Sequence, residues 1–205
     1  MKKKILIALA AAVMAIPLAG CTTTATSAGK PVPEMTFAQL APFYVNAHTI
    51  SIETSYDPMA DRDDIASTFP TPPDIALRRY AEVRLRPAAS GQGILHYVIE
   101  DARVDYSNFR VQGHLAELIH NNGRDRYDVR MKLRLYKTFP DGSISQQVTL
   151  TLERPLTLPE SMSVAEREMA QFKFLEEMMK DVDVAVVNAL QQRLNVGVPY
   201  SAATR

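Results

Sequence analysis

The chain has 205 residues, with 23 basic and 23 acidic side chains, no tryptophan and a single cysteine. Balanced charge excludes the strongly basic profile of a polyanion-binding protein, so no nucleic-acid partner is expected. One thiol excludes an internal disulfide framework and any multi-thiolate metal centre.

The chain opens with Lys2, Lys3 and Lys4, followed by an unbroken apolar run from Ile5 to Ile16. A run of that length falls short of the roughly 20 residues that cross a bilayer, and it reads as the core of a secretory signal. Leu18, Ala19, Gly20 and Cys21 then resemble the lipobox of bacterial lipoproteins at all four positions. The resemblance implies a diacylglycerol on the Cys21 sulfur, cleavage before Cys21 and acylation of the new amino group. Two or more acyl chains anchor stably where one does not, so a membrane partner held through Cys21 is expected. Thr22 stands where the sorting pattern of these lipoproteins places an acidic residue for inner-membrane retention. The implied address is therefore the periplasmic face of the outer membrane. Without the three leader lysines the basic count falls to 20 against 23 acidic, a net charge of −3.

Four segments are expected. Residues 1–20 are a signal peptide, and 21–36 are the lipidated cysteine and a flexible tether. Residues 37–196 are a single α+β domain, and 197–205 are an unstructured tail. The tether, TTTATSAGKPVP, is small, polar and proline-punctuated. At ~3.1 Å per residue when extended, it reaches about 35 Å from the membrane.

Phe43 to Thr54 is rich in β-branched and aromatic residues and reads as a first strand. After a loop, Thr71 is placed to cap a helix with Pro72 in its first turn. That helix puts Leu77, Tyr80, Ala81 and Leu85 on one side and ends at Pro87. Ile94 to Tyr106 is read as a strand with Ile94, His96, Val98, Ala102, Val104 and Tyr106 on one face. Phe109 to His120 alternates less cleanly, because Glu117 falls on the apolar parity. Tyr127, Val129, Met131, Leu133 and Leu135 alternate with Arg126, Asp128, Arg130, Lys132 and Arg134, which marks a half-buried strand. Pro140, Asp141 and Gly142 turn the chain into a partner strand carrying Ile144, Val148, Leu150 and Leu152. Ser163 and Glu166 form a capping box for a helix from Val164 to Leu194, with a break or projecting end expected from its length. The expected architecture is a β-α-β-β-β-β-α two-layer sandwich: an antiparallel sheet of about five strands, with both helices on its dry face.

Catalytic and metal signatures are weak. His96 lies on the expected apolar parity of its strand and reads as a packed histidine rather than a ligand. His114 and His120 would lie nearly ~20 Å apart on a strand, too far to share a metal. Asp57, Asp61, Asp63 and Asp64 lack the glycine and spacing of a calcium loop. Asp101 and Asp105 would sit about 13 Å apart on one strand, beyond the ~5–9.5 Å of a glycosidase pair. No cofactor is expected. The candidate binding surface is the polar face of the central strand, where Arg126, Arg130, Lys132 and Arg134 form a strip. Read as a binding surface, the strip meets an anionic lipid or an acidic envelope protein; read as an ordinary solvated sheet face, it is neutralised by Asp128 and neighbouring acids.

In element order the chain resembles the ABC-transport auxiliary lipoproteins and, more loosely, the lipopolysaccharide-assembly lipoprotein that plugs an outer-membrane barrel. The runs PPDIALRRYAEVRLRPAASGQGILHYVIEDARV and TLPESMSVAEREMAQF are similar to uncharacterised lipoproteins of Gram-negative bacteria. These resemblances bring no catalytic residue. They imply a non-catalytic accessory or binding component in envelope transport or assembly. A ligand- or cell-wall-binding module is the alternative, and an enzyme of unknown type comes third.

Overall fold

The structure is a computed structural model that describes residues 31–110 and 123–198. The stretch expected to be one first strand is two, because the chain crosses between sheets at Asn46–His48. β1, Phe43–Val45, belongs to a small sheet, and β2, Thr49–Thr54, belongs to the large one. Helix α1, Pro73–Arg84, starts one residue later than expected. Pro72 takes the cap position and Pro73 the first turn, where a missing N–H costs nothing. The helix also stops before Leu85. Leu85–Pro87 becomes β3, paired parallel to β1, so the backbone bonds that Leu85 loses from the helix are recovered in a sheet.

β4 is Ile94–Asp101, β5 Val104–Arg110, β6 Gly123–Thr138 and β7 Val148–Pro159. β6 organises the large sheet. Its first half pairs with β5, its second half with β4 on the same side, and β7 runs along its other side. β2 adds to the far edge of β4 in parallel. The sheet is therefore mixed, which corrects the antiparallel expectation. The reason is local: α1 carries the chain back to the end from which β2 started, and such a crossover produces a parallel pair. β7 is the edge strand and accommodates Pro155, which a central strand would not.

The expected parity of β4 is also corrected. Leu95, Tyr97 and Ile99 face the core, while Ile94 is 39% exposed and His96 lies on the outer face. A register shift between Ile99 and Asp101 then brings Ala102 and Val104 inward. A bulge inserts one residue, and one residue exchanges the two faces. Of the segment 109–120, only Phe109 and Arg110 lie within the described residues, at the end of β5.

Helix α2, Val164–Asn188, has the expected capping box: Ser163 Oγ accepts from the Glu166 amide, and the Glu166 carboxylate accepts from the Ser163 amide. Phe172, Leu175, Met179, Val182, Val186 and Leu190 form its buried stripe, each contributing about 1.5–3 kcal/mol through burial. The helix ends in a widened turn, Ala189–Arg193, and Asn195 adopts a left-handed conformation beyond it. β8, Gly197–Val198, then pairs with β1, inside the stretch expected to be an unstructured tail. At the other end Met35, within the stretch read as tether, is buried.

Both helices cover the inner face of the large sheet. They are joined by Asp183 of α2, which accepts from Tyr80 Oη and Arg84 Nε of α1, each at 2.8 Å. The same Arg84 donates to the Ala41 carbonyl, which ties the entering chain to the clasp. The inner face of β6 carries a charge at each end. Asp125 is 2% exposed and accepts from Tyr106, Asn108 and Arg167. Burial pushes the Asp125 carboxyl up, but those partners outweigh it and hold it below the ordinary carboxylate value. Lys137 is equally buried, donates to the Asn46 carbonyl, and is held below the usual lysine value by burial.

Tyr97 is fully buried, and its hydroxyl has no hydrogen-bond partner among the described residues. An unmet buried hydroxyl costs more than a made hydrogen bond returns. Tyr97→Phe should therefore raise unfolding stability by about 1 kcal/mol, whereas Tyr80→Phe, which loses its bond to Asp183, should lower it by about 1.5 kcal/mol. Urea midpoints of the two variants check this, and a loss of stability in Tyr97→Phe would contradict it.

Candidate functional site

The expected cationic strip is present on the outer face of the large sheet, and every member is ion-paired. Arg126 donates to Asp128 at 2.7 Å, and Arg130 pairs with Glu153 at 2.7 Å. Lys132 and Arg134 share Glu100, at 3.1 and 2.6 Å. Burial raises the Glu100 carboxyl, but the hydrogen bonds from Lys132 and Arg134 prevail and hold it below its ordinary value. A basin of about 470 Å³ is lined by Asp105, Asp128 and Glu153 and by Arg126, Arg130 and Arg154, three charges of each sign. The pattern on β6 gave the cations and Asp128, but Glu100 comes from β4 and Glu153 from β7, which the pattern of one strand does not reveal.

His96 belongs to the same face. Its Nδ1 meets Glu53 at 2.8 Å, its Nε2 meets Thr138 Oγ1 at 3.1 Å, and its ring stacks on Tyr136 at 4.4 Å. The His96 hydrogen bond is the main influence holding the Glu53 carboxyl below its ordinary value. Carboxylate, imidazole and hydroxyl in that order are the elements of a hydrolytic relay. Here the amide following the hydroxyl, Phe139 N, is committed to the Ser143 carbonyl at 2.8 Å and does not point at a reacting oxygen. Both ring nitrogens are engaged by side chains of the sheet, so neither is free for a metal.

The acidic loop is fastened to the sheet edge. Asp64 accepts from Tyr56 Oη and from the Ala66 and Val104 amides, while Asp57 and Asp61 accept from amides of their own turns. Asp101 pairs with Arg103 at 3.2 Å. Among the described residues, no three of these side chains are grouped to hold a metal ion. His114 and His120 lie outside the described residues, as does Cys21.

The helix layer holds a cleft that the sequence pattern did not single out. The entering segment 34–40 lies against α2 and encloses about 280 Å³. Met35, Phe37, Leu40, Phe172, Met179 and Val184 supply the apolar wall, and Glu34, Glu176, Lys180 and Asp183 the rim. The segment turns at Phe37, whose carbonyl accepts from the Leu40 amide at 3.0 Å. Phe37 has φ 55°, a left-handed backbone that costs a bulky residue about 1–3 kcal/mol. Its ring is buried against Tyr80, edge to face at 5.8 Å. Outside the core, the segment is held by Glu34 on Arg79 at 3.1 Å, an exposed pair worth less than ~1 kcal/mol, and by Ala41 on Arg84. The apolar residues at 35, 37 and 40 were the available signal, but they follow the proline-punctuated tether without strand or helix period.

No protein-family model matches this chain, and no curated protein matches it. Solved structures similar to it include two lipoproteins. One is a minor lipoprotein from Acinetobacter baumannii, 13% identical with a TM-score of 0.33, covering 74% of this chain and 96% of its own. The other is the rare lipoprotein B from Shewanella oneidensis, 9% identical with a TM-score of 0.29, covering 69% of this chain and 98% of its own. Superposition at that level assigns nothing to this chain.

The paired strip predicts little attraction to anionic surfaces until a carboxylate is removed. With the Cys21→Ser protein, vesicles of phosphatidylglycerol should sediment almost none of it at low salt. Adding Glu100→Gln frees Lys132 and Arg134, each worth about 1 kcal/mol at an anionic surface, and should produce binding that fades as salt rises.

Proposed function

We propose that this protein is a lipid-anchored envelope lipoprotein on the periplasmic face of the outer membrane. It serves as a non-catalytic binding component in transport or assembly, and it works through the cleft on its helix layer. The observation that carries this reading is one of position. The lipobox-like Leu18–Cys21 sequence is followed by a short polar tether, and the first residues after that tether build one wall of an apolar cleft. Anchor, spacer and cleft are thus consecutive in the chain.

The state of the polar residues supports a binding role. The outer-face carboxylates and cations hold one another in pairs, and the Glu53–His96–Thr138 column lacks a free amide at Phe139 for a developing oxyanion. The charge balance of the strip moves the preferred contact surface away from Arg126, Arg130, Lys132 and Arg134 and towards the cleft.

Anchoring is tested by fractionating producing cells. The native protein should partition into the detergent phase with outer-membrane markers, and Cys21→Ser should move to the soluble periplasmic fraction. Identical partitioning of the two forms would overturn the lipoprotein reading.

A further inference from the structure

We propose that the cleft between residues 34–40 and α2 holds one acyl chain of a membrane lipid whose headgroup is neutral or cationic. This rests on the anchored-lipoprotein reading for its source of ligand, and on the cleft itself for its chemistry. The wall is made of two phenylalanines, two methionines, a leucine and a valine. Methionine adapts its shape to unbranched chains, and such a wall offers no directional bonding to a polar ligand. A volume of about 280 Å³ corresponds to about nine water-sized groups at ~30 Å³ each, which suits a chain of about ten carbons with the remainder outside.

The rim selects the headgroup. Glu34, Glu176 and Asp183 border the cleft; Arg79 pairs with Glu34, Arg84 with Asp183 and Lys180 with Glu177, so Glu176 leaves the rim with a net negative charge. A carboxylate or phosphate monoester head would meet like charge there, whereas an ammonium or a neutral glycerol head would not. The wall is also able to yield. Phe37 sits in a strained backbone, and the fastenings of its segment are an exposed ion pair and a carbonyl contact.

Source follows from tether length. About 35 Å of extended chain separates the anchor from the wall, so the cleft stays near the bilayer and its acyl chains. The protein's own anchor is a poorer occupant, because withdrawing one of its chains weakens the membrane hold that several chains provide.

Methionine methyl resonances provide the test. The Cys21→Ser protein, labelled with ¹³C at the methionine methyls, is titrated with monodecanoin, decylammonium and decanoate below their aggregation limits. Met35 and Met179 line the cleft, and Met59, which is 86% exposed in a distant loop, is the internal control. The expected result is saturable movement of Met35 and Met179 with Met59 unmoved. Decylammonium should bind at least as tightly as monodecanoin, with decanoate weaker by several-fold. Val184→Glu, at an apolar wall position that is 60% exposed, should keep the fold and weaken monodecanoin about tenfold, equivalent to ~1.4 kcal/mol. Equal movement of Met59, tightest binding by decanoate, or no movement at all overturns the proposal. Shifts that follow protein concentration instead of monodecanoin also overturn it, because a second copy would then fill the cleft. Membrane fractionation of Cys21→Ser reads a different property, so anchoring and acyl binding succeed or fail separately.

Discussion

The inward alternation of β6 is the constraint on which the rest of the molecule depends. Tyr127, Val129, Met131, Leu133 and Leu135 are all buried on one face of this sixteen-residue strand. Because side chains alternate with a period of two, a slip of one residue would bury Arg126, Asp128, Arg130, Lys132 and Arg134 instead. Each unpaired charge taken inside would cost several kcal/mol, which fixes the register of β4, β5 and β7 against it. The helices then have one place to go, and Asp183 joins them there through Tyr80 and Arg84.

That arrangement divides the labour of the two faces. On the outer face, the long basic side chains are ion-paired, Arg126 with Asp128 on its own strand and the others with carboxylates of neighbouring strands. On the inner face, the helices complete the core, and the entering chain lies along α2 instead of merging fully with it. The cleft is the gap left by that imperfect merger. It is apolar because Phe172 and Met179 belong to the core stripe of α2, and it is open because residues 34–40 are held at few points.

Much of this was legible in the sequence where a single element carries its own pattern. The alternation of β6, the Ser163–Glu166 capping box and the stripe on α2 are local, and the structure shows each of them. The parity of β4 was not legible. Ile94, Leu95, Tyr97, Val98 and Ile99 are apolar on both faces, and only the shift near Glu100 decides which face is inside. The parallel pairing of β2 with β4 and the brief strands β1, β3 and β8 depend on where α1 returns the chain, which no window of sequence contains. The cationic strip illustrates the same boundary. Its residues were plain, but two of their ion-pair partners, Glu100 and Glu153, lie on other strands. The cleft was least visible, since its two walls are more than a hundred residues apart in the chain.

We propose that the working surface of this domain is the helix-side cleft and not the sheet-side strip. Site-specific photo-crosslinking in producing cells tests it most directly, with the reactive side chain placed at Val184 or at Lys132. The account predicts lipid adducts at Val184, identified by mass, and none above background at Lys132. Lipid adducts at Lys132 with none at Val184 would contradict it.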